Sequence, residues 1–543
     1  MMSVARRVLL GSVMWGLTAP ACAGSHDRSR ERAEAGTAGA GTGGTGPEAG
    51  GGDGGASGGS GTPAEASTGG RGPVPEAGTD ASVEASRDAG KDAGSGNHYE
   101  WQLFYDRSFA AHVEVDARGA AIVSGTFFDT KDIVLGATVL HSHGSADVFL
   151  SRVLPNGAVD WARGYGAAAE DYPLSFALDA QGRIALTGLY NGTGNIGGPD
   201  FPTFAGTPGR YDVFVAQLTA SGDHVWSKTI NTTADAFAGP GVSLDGSGDV
   251  LVAGSFKGTA SFDPTTEAGP SVPWSAYTAR HDQPDGTLGA AKTFGGTGDV
   301  RATAALFTGT DVIMVGTFAG QATFPTSPAT VRASAGGLDV FVARGSTAGE
   351  LTSVETFGGP GDEDVATARI DASKNLVIAG QFTSPTLSVF GAPALRNAGG
   401  RDAFVVKLTP ALASIWAVSF GGDADDFVRD AAVGPGGVVA ITGEFRDRIA
   451  IGADTWDAAR AADAGAGPSD IDVFVAKLDA NGRPLWSFAT GGPAPDRGLN
   501  IAVDGEGALY ATASFQSAID FGGGDVLTPD PGEWASALVK YRP

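Results

Sequence analysis

The sequence predicts an all-β chain. The expected fold is a seven-bladed β-propeller of four-stranded antiparallel blades, closed by pairing of its N-terminal strand with the C-terminal blade and preceded by a disordered linker. Three observations predict it. A strand–turn–strand unit ending near Gly-x-Phe recurs seven times, with copies 62 to 70 residues apart. A second unit, DVF(V/L) followed by a tight turn and often a tryptophan, alternates with the first. The patterned part also starts and stops in mid-unit, so its two ends complement each other. Recurrence at such a period marks a repeat architecture.

The first 22 residues read as an address. Arg6-Arg7 precedes an apolar run from Val8 to Leu17, then Thr18-Ala19-Pro20-Ala21-Cys22. A short basic segment, an apolar segment and a small-residue site make a secretory signal, and the run is shorter than the ~20 residues a membrane span needs. The end resembles a bacterial lipoprotein signal, which implies lipidation of Cys22. The departure is Ala19, where that family prefers leucine, and ordinary cleavage after Ala21 is the alternative. The localisation expected is export, with lipid anchoring to the outer membrane or cell surface, otherwise a periplasmic or secreted protein. Cys22 is the one cysteine, so no intrachain disulfide or thiolate cluster forms.

Residues 23–97 are built of Gly, Ala, Ser, Thr, Pro and scattered charge, with Val74 and Val83 as rare larger apolar side chains. Such a composition buries too little to offset chain entropy, so this segment is expected to be a disordered tether. The formal net charge of -25 falls mostly on the remainder. It excludes nucleic acid or anionic lipid as partners of a basic surface. Membrane contact is expected only through the N-terminal lipid.

Residues 98–543 carry the repeats. Copies of the first unit include VEVDARGAAIVSGTF (Val113–Phe127), ARIDASKNLVIAGQF (Ala368–Phe382) and IAVDGEGALYATASF (Ile501–Phe515). The second begins at Asp147, Asp212, Asp339, Asp402 and Asp472, with weaker copies at Ser275-Ala276-Tyr277 and Ser536-Ala537-Leu538. Each pair of units supplies strands A to D, joined by D-x-x-G turns suited to short hairpins. The last copy lacks strand D, while Glu100-Trp101-Gln102-Leu103-Phe104 is a strand D with no strand C before it, and Trp101 takes the place of Trp486. Pairing the two ends closes a ring and removes exposed sheet edges.

Pieces such as GGPGDEDVATARIDASKNLVIAGQF and DVFVAKLDANGRPLW resemble the SBBP (seven-bladed β-propeller) repeat family of bacterial secreted and surface proteins. The resemblance covers nearly all of 98–543. It implies the fold and brings no shared catalytic residues.

Two groups of residues are candidates for function. The B–C connections are long and differ between blades, where binding usually resides on a uniform scaffold. The longest, Arg446–Ile471, contains Trp456 and several aspartates. The D–A connections share acids: Asp171, Asp235, Asp299, Glu363, Asp426 and Asp496. A ring of carboxylates at a channel mouth would hold calcium or a cationic ligand; the competing reading has each acid accept backbone N–H groups of its own turn. No other cofactor is expected. His141 and His143 lack a third ligand at metal spacing. The recurrent tryptophans Trp101, Trp161, Trp226, Trp416 and Trp486 read as blade-packing residues. No nucleophile elbow, HExxH or P-loop occurs. The expected function is a monomeric, surface-tethered module that binds a protein or glycan through its B–C loop face. The alternatives are a carboxylate- or calcium-dependent hydrolase or lyase at the channel mouth, and a structural envelope component.

Overall fold

A computed structural model describes residues 98–128, 132–201, 211–234, 236–262, 265–268, 273–458 and 471–543. The expected signal 1–22, with Cys22, and the linker 23–97 lie outside the described residues. Those described are all-β, folded as small antiparallel sheets in a propeller arrangement. None of their helices is long and apolar enough to cross a membrane.

Strand β1 (Tyr99–Tyr105) opens the chain of strands. Seven inner strands follow: β2 (Ser108–Val115), β3 (Asp171–Leu178), β4 (Ala236–Leu244), β5 (Val300–Phe307), β6 (Glu363–Ile370), β7 (Asp426–Val433) and β8 (Arg497–Val503). The last strand is β9 (Ala535–Tyr541). Each inner strand starts an antiparallel meander, and each packs against the next: β2 on β3, and so on to β7 on β8, with β8 returning to β2.

Four meanders stay as separate four-stranded sheets, those of β2, β6, β7 and β8. The sheet of β3 gains the hairpin Thr259–Phe262 with Thr265–Ala268 at its edge and reaches six strands. The meanders of β4 and β5 fuse into one eight-stranded sheet through Gly295↔Thr323 and Gly296↔Ala322. The expectation of separate four-stranded units thus holds for part of the chain. Two long B–C connections continue as strands and pair with the outer strand of the preceding meander, because an unpaired strand edge is a costly surface.

The sheet of β8 takes its fourth strand from the other end of the chain. Strand β1 pairs with β9 from Tyr99↔Tyr541 to Tyr105↔Ser536. Ser536 Oγ accepts the Ala110 N–H at 2.7 Å and donates to Ser108 O at 3.1 Å, tying β9 to β2. One apolar cluster joins Trp101, Leu103 and Leu538 of this sheet to Val123 and Phe149 of the next.

The repeated residues have packing reasons. A Cβ on Gly125 would lie 2.5 Å from the Phe149 ring and 2.2 Å from Phe109 O. Gly188 stands in the same relation to Phe214, and Gly443 to Phe474. The glycine of Gly-x-Phe therefore exists to seat the phenylalanine of DVF. In the last sheet Ala513 pairs with Ala537, so a small–small pair replaces the Gly–Phe pair. That register also corrects the C-terminal copy by one residue: Ala535 pairs with Phe515 as Asp147 pairs with Phe127. The tryptophans reach the neighbouring sheet. Trp101 Nε1–H donates to Pro155 O and Trp416 Nε1–H to Ala480 O, both at 2.9 Å.

Candidate functional site

The D–A acids begin the inner strands. Asp171, Glu363, Asp426 and Asp496 are wholly buried. Each accepts a backbone N–H from four residues earlier: Ala167 to Asp171 at 2.9 Å, Gly359 to Glu363 at 2.6 Å, Gly422 to Asp426 at 2.8 Å and Gly492 to Asp496 at 2.5 Å. The acid that starts strand C of the preceding meander does the same, with Ala335 donating to Asp339 and Ala398 to Asp402. The backbones bring these acids together in pairs. Asp426 N–H donates to Arg401 O at 2.7 Å, which puts Asp426 beside Asp402, and a parallel bridge Ala146↔Glu170 puts Asp171 beside Asp147.

In the pairs Asp147–Asp171, Asp339–Glu363 and Asp402–Asp426, every carboxyl keeps one buried oxygen that has no hydrogen-bond partner. The electrostatics follow from this. Burial pushes Asp171 up to about 7, with Asp147 adding to the effect. Burial pushes Asp426 up to about 8, helped by Asp402, which is itself raised to about 6. Glu363 is raised by burial, with Asp339 adding to it. The first glycine after strand D also finds its reason here, since a Cβ on Gly421 would lie 2.3 Å from Asp402 Oδ1.

Asp299 differs. It is partly exposed, accepts the Trp274 N–H at 3.1 Å and pairs with Arg301 at 2.7 Å. Asp235 lies outside the described residues. These acids sit one per junction between sheets and are not gathered at one point. Among the described residues no group of three or more His, Cys, Asp or Glu side chains is placed to hold a metal ion. The side chains of Asp147, Asp171, Asp402 and Asp426 supply two carboxyl groups per junction, fewer oxygens than the six to eight that calcium takes.

Several B–C connections fold as small hairpins among the described residues, including Ile133–Leu135 with Thr138–Leu140, Arg448–Ile451 with Asp454–Asp457, and Ile519–Asp520 with Val526–Leu527. Val134, Val139, Val331 and Val526 stand exposed on these connections. Trp456 is half-buried: its Nε1–H donates to Ser487 Oγ at 2.9 Å and its ring meets Phe488 edge-on at 6.3 Å. Residues 459–470 of that connection lie outside the described ones.

A third constellation was not foreseen from the sequence. Every inner strand carries a register shift at the same place, for example between Ala110 and His112, Val365 and Thr367, and Val428 and Asp430. A bulge re-aims the side chains that follow it. Here they turn toward a central cavity of about 170 Å³ lined by Glu114, Ala177, Ser243, Leu306 and Arg369 among others. Arg369 Nη2 donates to Asp430 Oδ1 at 2.9 Å, and Nη1 to Thr367 Oγ1 at 2.6 Å and Ala368 O at 3.2 Å. Asp430 Oδ2 accepts the Ile501 N–H at 3.1 Å. Burial pushes Glu114 up to about 7, with Arg369 pulling down and Asp430 pushing up. Burial, then the charge of Arg369, holds His112 down at about 4, so it is neutral. Glu114 is partly buried, and it lines the cavity. The aligned copies VEVDARG and ARIDASK already held Glu114 and Arg369 in one column. The signal available was that the column is charged in two copies and Ala, Ser or Leu in the rest.

No family model matches the chain, and no curated protein sequence matches it. Similar solved structures include a catalytically inactive virginiamycin B lyase from Staphylococcus aureus with quinupristin, at 9% identity, covering 81% of this chain and 98% of that one, TM-score 0.35. A protein of unknown function from Dyadobacter fermentans shares 10% identity over 80% of this chain and 96% of that one, TM-score 0.33. A quinohemoprotein alcohol dehydrogenase from Pseudomonas putida shares 11% identity over 80% and 76%, TM-score 0.31. At these scores the likeness carries no argument, and the fold rests on the strand pairing described above.

Proposed function

We propose that residues 98–543 form a closed seven-bladed β-propeller of the SBBP-repeat type, exported and tethered through Cys22 and the 23–97 linker. It serves as a binding module for a protein or glycan. The seven inner strands in mutual contact and the β1–β9 pairing support the ring. The observation that carries the binding role is the contrast between a recurring antiparallel meander and dissimilar B–C connections, several of which present exposed valines. A single mutable face on a rigid scaffold is where recognition concentrates. Pull-down from envelope extract and glycan arrays test it: retention should fall when the 446–471 connection is replaced by a short turn, and equal retention overturns the loop-face reading. The tether is tested by fractionation. Cys22→Ser should move the chain from the membrane to the soluble fraction.

One observation favours a second reading, a hydrolase or lyase in the channel. Glu114 is held near pH 7 beside Arg369, where a carboxyl can both give and take a proton. If glycosidic or ester substrates are turned over, Glu114→Gln should abolish that turnover. Activity unchanged by Glu114→Gln removes Glu114 from the chemistry.

A further inference from the structure

The channel wall breaks the sevenfold repetition in one sector. Directly after the bulge, neighbouring strands β6, β7, β8 and β2 present Thr367, Asp430, Asn500 and His112, and two residues on β6 and β2 present Arg369 and Glu114. The facing strands β3 and β5 present Ser175 and Ala304 after the bulge, and two residues on β3, β4 and β5 present Ala177, Ser243 and Leu306. One side of the cavity carries the charged pair Glu114 and Arg369, while the facing side is uncharged and built of small and aliphatic residues. Uniform packing would give the same small residue in every copy.

We propose that the channel is a binding site for one small, neutral, polyhydroxylated ring, a single sugar or cyclitol unit. Three features select that chemistry. Arg369 spends three of its five donors on Thr367, Ala368 and Asp430, leaving Nε–H and one Nη2–H for a ligand oxygen. The Glu114 carboxyl, which lines the cavity, adds a group able to meet hydroxyls. A hydroxyl both donates and accepts, so vicinal hydroxyls satisfy a guanidinium and a carboxyl together, and the ring's C–H face packs on Ala177 and Leu306.

Other ligand classes fit less well. An anion would meet Glu114 beside a single arginine already paired with Asp430. A cation would meet Arg369. An apolar ring would strip Arg369 and Glu114 of water without replacing those bonds, at a cost of a few kcal/mol. The cavity, at about 170 Å³, suits one ring, since ~150 Å³ already admits benzene. It lies toward the A–B turn ends of the inner strands, at the opposite end from the B–C hairpins, so it is separate from the loop-face site.

The test is saturation-transfer NMR and calorimetry on the full chain with D-glucose, D-galactose, D-mannose, N-acetyl-D-glucosamine and myo-inositol, and with acetate and glycine betaine as charged probes. At least one neutral ring should bind saturably while the charged probes do not. Ala177→Leu fills the cavity from its uncharged side and should weaken that binding at least about tenfold with an unchanged melting temperature; Arg369→Gln should weaken it as well, with a lower melting temperature because Asp430 loses its partner. If Arg369→Gln unfolds the protein, the Ala177→Leu result decides. The proposal is overturned if no neutral ring binds, if a charged probe binds as well, or if Ala177→Leu leaves the affinity unchanged. Loss of loop-face binding on replacing 446–471 would leave this site intact, so the two readings fail separately.

Discussion

Replacing Asp426 with asparagine should change how stability depends on pH. In the folded chain Asp426 sits beside Asp402 across a blade junction, both carboxyls wholly or almost wholly buried. Each gives one oxygen to a backbone N–H, from Gly422 and Ala398, and keeps the other without a partner. Burial raises Asp426 from 3.8 to about 8. The folded state therefore holds a proton between about pH 4 and pH 8 that the unfolded chain releases. The stabilisation is complete below about pH 4 and is lost as pH rises toward 8, at up to about 1.4 kcal/mol per unit for one proton. From pH 5 to 8 this group costs the wild type up to about 4 kcal/mol that Asp426→Asn, neutral throughout, does not lose. For a domain of this size that is roughly 4–8 °C, at about 1–2 °C per kcal/mol. Differential scanning calorimetry at pH 5, 6, 7 and 8 reads it directly. The wild-type Tm should fall more steeply than that of Asp426→Asn. Parallel curves would refute the buried-proton reasoning. Asp425 also raises Asp426 but is common to both proteins, so the difference isolates the pair.

Gly421→Ala should destabilise by about 1–3 kcal/mol, because its Cβ would press on the buried Asp402 carboxylate; chemical denaturation measures it. Ser536→Ala removes the hydroxyl that serves both Ala110 N–H and Ser108 O, and should cost about 1–3 kcal/mol and expose the β1–β9 sheet to faster hydrogen exchange. Because the turn acids are occupied by backbone N–H groups, EDTA should leave the Tm within about 1 °C. A fall of several degrees, restored by calcium, would point instead to a bound cation.

Much of the fold was legible because the packing is local and repeated. Gly443 and Phe474 touch across adjacent strands in every similar unit, so selection for fit writes the same letters each time. Trp101 announced its place across from a lysine as Trp486 does, pairing with Lys540 and Lys477. The C-terminal copy was misplaced by one residue because Ala513 and Ala537 lack the Gly–Phe marker. Fusion of the β4 and β5 meanders depends on how far a B–C connection stays extended, which composition does not reveal. The candidate sites were less legible for two reasons. An aspartate after Gly-Gly reads as an exposed turn, and only the neighbouring strand C shows that Asp426 is paired and buried. Glu114, Arg369 and Asp430 come from distant repeats and meet only once the ring brings their bulges to one axis.

Ring closure is the claim on which both proposed binding sites depend, and a disulfide across the terminal pair tests it most directly. Gln102 and Val539 are paired residues of β1 and β9. In a chain carrying Cys22→Ser, Gln102→Cys and Val539→Cys, mild oxidation should yield an intramolecular disulfide linking the N- and C-terminal peptides in near-quantitative yield in the monomer, with a raised melting temperature. Free thiols, or disulfides formed only between molecules, would contradict closure.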